Sequence, residues 1–220
     1  MLVRILVVDV LAGALLVVIW YCCFVRYNRR RGLQVLRWIE HAFRGHAQVA
    51  GLHWFSPSRF SVQMRLAPSL FHHASAIVQL IPRELPVSWL AARIRKQQET
   101  LTFQADLDGA PSFNLEVHNH RWYGRTRRRL PTKSRSWMLE QAGPFVLTTR
   151  HDWQRDITTM RRALIASREC DCQTVCFRRT SPHFSVTVPL QAIAPLSETQ
   201  SEIFDVLREL AAGASAARFN

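Results

Sequence analysis

"ILVVDVLAGALLVVIWYCCFV", residues 5–25, is an uninterrupted apolar run whose only charge is Asp9. At about 1.5 Å of rise per residue, a helix of this length crosses the roughly 30 Å of hydrocarbon in a bilayer. The run is longer than the apolar part of a secretory signal, about 7–15 residues, and the bulky "IWYCCF" stands where a small-x-small cleavage site would be. The sequence therefore predicts an uncleaved N-terminal transmembrane anchor over residues 1–25.

The charges on either side of the run predict its orientation. Arg4 is the only basic side chain before the run, whereas four arginines crowd the juxtamembrane segment 26–32: Arg26, Arg29, Arg30 and Arg31. Basic residues near a span remain on the cytoplasmic side. We therefore expect a single-pass protein of the cell (inner) membrane, with its C-terminal domain in the cytoplasm.

Residues 33–212 carry alternating helix and strand patterns, which predict a soluble domain followed by a flexible tail at 213–220. Helical spacing of apolar residues and capping signals predict four helices, at 33–44, 86–98, 153–168 and from 197 onward. Strand-like runs bounded by turn residues occupy 48–54, 59–66, 74–81, 137–141, 145–149, 173–178 and 183–190. Gly45 is the expected stop of the first of these helices.

The clearest strand pattern lies in the middle of the chain. Apolar and polar residues alternate over 101–107 and again over 113–117, with the turn sequence "DGAP" between them. This pattern predicts two half-buried strands, and the turn suggests that they pair as an antiparallel hairpin. Strand groups separated by helices indicate an α+β fold, a mostly antiparallel sheet with helices packed on one face.

Two parts of the chain resemble each other. Residues 33–66 and 157–190 align without gaps as helix, strand, turn and strand, and "SRFSVQMRL" lies over "PHFSVTVPL". The two parts are either half-repeats from a duplication or two independent cases of an amphipathic helix followed by a hairpin. Either reading predicts the same local structure.

The strongest local signal is the basic stretch at 121–137, which contains no acidic residue. Cations interleaved with aromatic rings suit an anionic lipid headgroup region or the phosphates of a single-stranded nucleic acid, and a solvated turn is the plain alternative. The neighbouring anchor keeps lipid within reach, so nucleic acid is the weaker choice. The predicted lipid or phosphate contacts are Arg121, Trp122, Tyr123, Arg125, Arg127, Arg128, Arg129, Lys133 and Arg135.

A metal site is a minority hypothesis. His118 and His120 are two residues apart, as are Cys170 and Cys172, so each pair would point to one side of a strand. Structural zinc sites more often use C-x₂₋₄-C spacing, and the cysteines are equally explained as small buried hydrophobes. Three closely spaced cysteines also do not make a secreted disulfide framework. We predict neither metal nor cofactor.

Composition and motifs favour binding over catalysis. The chain has a net charge of +13, of which +9 remains for residues 32–220, and only Lys96 and Lys133 of its 29 basic residues are lysines. It contains no Gly-rich phosphate loop, no G-x-S-x-G and no H-E-x-x-H. The sequence therefore predicts a membrane-anchored basic binding or scaffold domain that contacts anionic lipid or an acidic protein partner. The alternative is a membrane-tethered hydrolytic or metal-dependent enzyme with a dispersed site on the open sheet face.

The anchor itself offers a further contact. The small residues of "AGA", 12–14, permit close approach of a second helix, and Asp9 lies on the same helix near its outer end. Two copies of the chain are therefore able to associate through their anchors, and a homodimer is one of the partners that we consider.

Overall fold

The computed structural model describes residues 2–66, 71–111, 113–119, 137–142, 145–150, 172–191 and 201–216. These residues form three helices and nine strands: α1 (Leu2–Ala42), β1 (Ala47–Ser56), β2 (Arg59–Leu66), β3 (Phe71–Gln79), α2 (Pro86–Ile94), β4 (Thr100–Leu107), β5 (Leu115–Asn119), β6 (Trp137–Ala142), β7 (Phe145–Arg150), β8 (Thr174–Phe177), β9 (Phe184–Pro189) and α3 (Ser201–Ala216).

Helix α1 is continuous over 41 residues. This one helix contains the apolar run, the basic segment 26–32 and the helix expected from residue 33. The sequence patterns had predicted these as three separate parts. The charges interrupt the hydropathy of the run but not its helicity, because arginine is a good helix former. The predicted stop is confirmed: Gly45 has a φ of 89°, a left-handed conformation that glycine adopts without strain.

The nine strands form one sheet in the order β1-β2-β3-β4-β9-β8-β5-β7-β6. Each neighbouring pair is antiparallel, for example Trp54 opposite Phe60 in β1 and β2. The predicted α+β class, with a mostly antiparallel sheet after a long apolar helix, is confirmed.

The expected pairing of the two central strands is wrong. Strands β4 and β5 both form, and β4 shows the predicted alternation of buried and half-buried residues. However, β4 pairs with β3 and β9, whereas β5 pairs with β7 and β8. The hairpin β8–β9, which comes much later in the chain, lies between them. The alternation of apolar and polar residues determines which face of a strand is buried. It does not determine which other strand pairs with it.

Helices α1 and α3 share one hydrophobic core with the sheet. Val35, Ile39 and Phe43 of α1 and Leu210 of α3 are buried in the same cluster as the inward side chains of the central strands. The rings of Phe43 and Phe103 stack with their centroids 5.7 Å apart. The second half of α1 is therefore an element of the domain core, although its first half is apolar and exposed.

The structure bears on the suspected half-repeats and on the expected C-terminal tail. The hairpins of both suspected half-repeats, β1–β2 and β8–β9, are present, but the helix of the second copy lies outside the described residues, so the duplication stays a hypothesis. Helix α3 continues to Ala216 and so extends into the segment 213–220 that was expected to be a tail.

Gly32 lies where α1 packs tightly against the β1–β2 hairpin. A Cβ atom added there would lie 2.6 Å from Cη2 of Trp54 and 3.0 Å from Cε1 of Phe60. Both neighbours are ring atoms of core side chains, which have little room to retreat. The glycine therefore permits the close approach of α1 to the β1–β2 hairpin.

We expect Gly32→Ala to lower the free energy of unfolding in detergent by about 1–2 kcal/mol, because overpacking costs about 1–3 kcal/mol while alanine returns up to about 1 kcal/mol of helix propensity. Gly13→Ala is the matched control on the same helix, since a Cβ there would have no neighbour within 4 Å. Thermal unfolding of both variants checks the prediction, and equal midpoints would contradict it.

Candidate membrane-proximal site

A buried polar side chain lies on α1 three residues beyond the apolar run. Asn28 is fully buried at 0% exposure. Its Nδ2 donates to the backbone oxygen of Ile81 at 3.3 Å and to Oε2 of Glu84 at 3.1 Å. Its Oδ1 accepts from Nη1 of Arg83 at 3.4 Å. One amide thus ties α1 to the loop between β3 and α2 through both of its polar atoms.

Glu84 extends these contacts to the sheet. Its second oxygen, Oε1, accepts a hydrogen bond from the hydroxyl of Ser58 at 3.0 Å. Ser58 is only 7% exposed and lies at the tip of the β1–β2 hairpin, where its backbone oxygen accepts from the amide of Leu80 at 2.8 Å. The carboxylate of Glu84 therefore joins α1, the hairpin tip and the β3–α2 loop.

Arg83 and Glu99 add an ion pair on the same side. Nη1 of Arg83 lies 3.0 Å from Oε1 of Glu99, and the Arg83 guanidinium also lies over the ring of Tyr27, 5.1 Å from its centroid. Nε of Arg31 lies 3.8 Å from the other Glu99 oxygen. The pair is mostly buried on the glutamate side, which favours it over a fully solvated surface pair.

An aromatic cluster continues the contact toward the apolar run. The Trp20 indole Nε1 donates to the backbone oxygen of Arg83 at 3.0 Å. Its ring lies 4.5 Å from Phe24 and 6.0 Å from Trp89 of α2, measured between centroids. We call the residues described in these four paragraphs the junction: Trp20, Phe24, Tyr27, Asn28, Arg31, Ser58, Arg83, Glu84, Trp89 and Glu99.

The junction fixes the domain to the segment of α1 that leaves the apolar run. Within the described residues, α1 contains the one helix long and apolar enough to cross a membrane, and none of its most apolar window is buried. Asn28 comes three residues after the run ends, so the domain has no flexible linker between itself and the apolar part of the helix. The arrangement positions a domain, and its Glu84 and Glu99 carboxylates and Ser58 hydroxyl are engaged in hydrogen bonds and ion pairs within the junction.

One of the four arginines proposed to orient the anchor belongs to the junction, and the other three do not. Arg26, Arg29 and Arg30 are exposed on α1, whereas Arg31 pairs with Glu99. Only the first three are therefore free of a described structural role in the domain.

The sequence reading missed Asn28, Ser58, Glu84 and their partners, although one signal was present. Asn28, Gly32, Val35, Ile39 and Ala42 are spaced at helical intervals and are all buried. Extending the amphipathic pattern of the 33–44 helix backward by one turn would have placed Gly32 and Asn28 on the buried face. The partners of Asn28 are more than 50 residues away in the chain, and no local pattern points to them.

The basic stretch predicted to contact lipid or phosphate lies outside the described residues. This applies to Arg121 through Arg135 as a group, so their contacts stay a prediction. The same holds for His120 and Cys170 of the zinc hypothesis.

His118 belongs to a small charged cluster on β5 and β8. Its Nε2 lies 3.7 Å from Glu116, and Nη2 of Arg178 lies 3.5 Å from the same carboxylate. The proximity of His118 lowers the pKa of Glu116, and the charge of Arg178 lowers it further. The carboxylate therefore stabilises the fold at neutral pH, and this contribution is lost as the pH falls through the lowered pKa.

Cys172 and Cys176 are buried, whereas Cys22 and Cys23 are exposed on α1. Cys172 is 4% exposed and packs in the hydrophobic core. Burial raises the pKa of the Cys176 thiol to about 12, so it is not a nucleophile at neutral pH. Among the residues that the structure describes, no three His, Cys, Asp or Glu side chains are grouped as metal ligands. The zinc hypothesis has no support from His118 and Cys172 alone.

Two described pockets are candidates for a dispersed enzyme site: one is lined in part by His72, His73 and Ser75, and the other is an open groove on the polar face of the sheet. The groove has a volume of about 560 Å³. Its described lining consists of glutamine and threonine side chains with Arg95 and Lys96, and it contains no carboxylate, histidine or cysteine. Such a lining provides hydrogen bonds, and Lys96 is its one described side chain of a type that acts as a general acid or base.

Comparison with known proteins assigns no family. No protein-family model and no curated protein matches the chain. Among solved structures, the mycobacterial trehalose monomycolate transport factor A is similar over 70% of each chain, with 8% identity and a TM-score of 0.38. A likeness at this level supports no statement about family or function.

We expect Asn28→Asp to lower the free energy of unfolding in detergent by about 2–3 kcal/mol, because a buried polar group that loses its partners costs about 1–3 kcal/mol, more when charged. The new carboxylate would face the Glu84 carboxylate, 3.1 Å from the present amide. Gln34→Glu makes the same chemical change at an exposed position of α1 and should be nearly neutral. Urea or thermal unfolding of the two variants distinguishes them.

Proposed function

We propose that this chain is a membrane-anchored basic binding or scaffold domain that contacts anionic lipid or an acidic partner at the bilayer surface. Residues 5–25 cross the cell (inner) membrane once, and the domain lies on the cytoplasmic side. The observation that carries the proposal is the junction, which joins a buried, hydrogen-bonded Asn28 to the domain immediately after an exposed apolar run.

The exposure of the apolar run supports the membrane placement. Large apolar side chains between Val3 and Ile19 are about half to three-quarters exposed, for example Val3 at 73% and Leu16 at 67%. At about 25 cal/mol for each Å² of apolar surface, such an exposed run is strongly unfavourable in water. A bilayer would cover this apolar surface, and no other part of the domain would need to pack on it.

The charge of the domain supports an anionic contact. The junction holds the domain directly beside the headgroups, and Arg26, Arg29 and Arg30 are exposed there. Each basic residue near an anionic leaflet contributes about 1 kcal/mol of attraction, and this falls off within about 8–10 Å at physiological salt. The stretch 121–135 supplies seven further basic residues for the same contact.

The enzyme alternative has no comparable support. The groove on the open sheet face has no described carboxylate, histidine or cysteine, and Cys176 has a raised pKa. The chemistry of the described residues therefore favours binding.

For orientation, we expect a reporter that works only in the cytoplasm to be active when fused after Asn220. Neutralising Arg26, Arg29 and Arg30 to glutamine should lower its activity, because these residues hold the positive flank inside without contributing to the junction. Neutralising Arg65, Arg179 and Arg208 makes the same charge change at exposed positions far beyond the run, and it should leave the activity unchanged. A reporter active only outside would overturn the cytoplasmic placement.

For lipid contact, the full-length protein is placed in nanodiscs that contain a fluorescent acceptor on either an anionic or a neutral lipid. Energy transfer from tryptophan should be higher to the anionic lipid, and about 0.5 M salt should remove the excess because the contact is screened. Replacing Arg127, Arg128 and Arg129 together by glutamine should remove most of that excess.

The variant with Arg65, Arg179 and Arg208 replaced by glutamine is the control for this measurement too, since its net charge is the same. If both variants lose the excess equally, overall charge and not the basic stretch attracts the lipid. If neither loses it, the predicted contact of residues 121–135 is wrong.

A further inference from the structure

Helix α2 presents its apolar side away from the domain. Val87 is 80% exposed, Leu90 53% and Ile94 73%, whereas Ala92 is the buried residue of the helix at 3%. At about 100° per residue, the three exposed side chains fall within an arc of about 60°, and Ala92 points about 170° away from its middle. The sequence predicts this shared apolar face, but the structure places it opposite the face that packs on the protein.

Helix α2 lies beside the end of the apolar run of α1. The chain leaves the junction at Glu84, next to Asn28, and returns to it at Glu99, next to Arg31. Between these points α2 lies beside Trp20 of α1, and the rings of Trp20 and Trp89 are 6.0 Å apart between centroids. Helix α2 is therefore the end of a loop that extends from the domain along α1 toward its N-terminus.

The level of α2 along α1 matches the edge of a bilayer. Trp20 precedes Arg26, the first charge after the run, by about 9 Å at 1.5 Å of rise per residue. Interfacial helices bury their apolar face about 5–10 Å into the boundary between headgroups and acyl chains. The indole of Trp20, which donates to the backbone oxygen of Arg83, has an environment typical of tryptophan in that layer.

The charges around α2 suit an anionic headgroup layer. No acidic residue occurs between Leu85 and Gln98. The guanidinium of Arg93 lies 5.5 Å from the centre of the Trp89 ring, and Arg95 and Lys96 follow on the exposed surface. Long basic side chains at the end of an interfacial helix extend their charges to the phosphates while their stems cover apolar surface.

We propose that α2 is an interfacial membrane helix and that its face of Val87, Leu90 and Ile94 enters the leaflet at which α1 leaves the bilayer. The partner of this surface is lipid. The inference rests on the proposed placement of residues 5–25 in a bilayer, but it does not depend on the side of the membrane that the domain occupies. The domain would then contact the membrane at two points, the anchor and α2.

The test uses the full-length protein in nanodiscs with a photo-crosslinking amino acid in place of Leu90, or of Ile94 in a second variant. Leu15, in the middle of the apolar run, is the positive control. Val49 is the matched negative control, because it is an exposed apolar residue at the far end of β1. Lipid adducts are measured by mass spectrometry after irradiation.

We expect lipid adducts at Leu90 and Ile94 in yields close to that at Leu15 and about tenfold or more above that at Val49, because only the former positions would lie at the acyl boundary. Adducts at Leu15 with no excess at Leu90 and Ile94 over Val49 would refute the inference and leave the proposed anchor intact. Absence of adducts at Leu15 would refute the anchor, and the inference with it. A crosslink from Leu90 to a second copy of the chain would assign the surface to a protein contact and overturn the lipid proposal.

Because Leu90 and Ile94 are exposed, the substitutions should leave the fold unchanged, and thermal unfolding in detergent verifies this for each variant. Leu90 and Ile94 lie one turn apart on the same face of α2. If one of the two variants fails to fold, the other still tests the same face.

Discussion

The hydrogen bonds of the Asn28 amide determine how the domain is placed relative to the apolar half of α1. The amide is fully buried, and its partners come from the loop after β3 rather than from the helix. A buried amide with satisfied bonds contributes modestly to stability, but an unsatisfied one is costly. Other arrangements of the helix against the domain would leave Asn28, Glu84 and the Ile81 carbonyl without these partners. The polar contact therefore selects one orientation, whereas apolar packing by Val35, Ile39 and Phe43 alone would tolerate sliding.

The polar contact is strengthened by its surroundings. Gly32, one turn further along α1, permits close packing on Trp54 and Phe60, and the Arg83–Glu99 pair covers the other side. Hydrogen bonds in such a shielded position are stronger than the same bonds in water. Helix, hairpin tip and loop are joined at one place, where the chain passes from apolar to charged sequence.

Local patterns in the sequence predicted most of the elements and little of their assembly. The strand β2 was expected at Arg59–Leu66 and lies there, and Gly45 terminates the helix as expected. The division of α1 into three parts came from treating charges at 26–32 as a boundary, although a helix backbone does not depend on side-chain polarity. The pairing of β4 with β9 joins residues 79 to 89 positions apart, and an alternating pattern carries no information about such distant neighbours. For the same reason the junction was not predicted, whereas the apolar face of α2 was visible from spacing alone.

An unbroken α1 also has a mechanical consequence. Transmembrane helices tilt by about 20° on average, and the tilt changes with the thickness of the bilayer. The helix has no glycine in a left-handed conformation and no proline between Leu2 and Ala42, so it has no hinge at which a tilt could be absorbed. The sheet packs on the C-terminal third of α1 and therefore rotates with the helix as a rigid body. A change of about 10° in tilt would move the far end of α1, some 25 Å beyond Val25, by about 4 Å. With residues 5–25 in a bilayer, as we propose, the thickness of the membrane would be converted into a displacement of the domain surface.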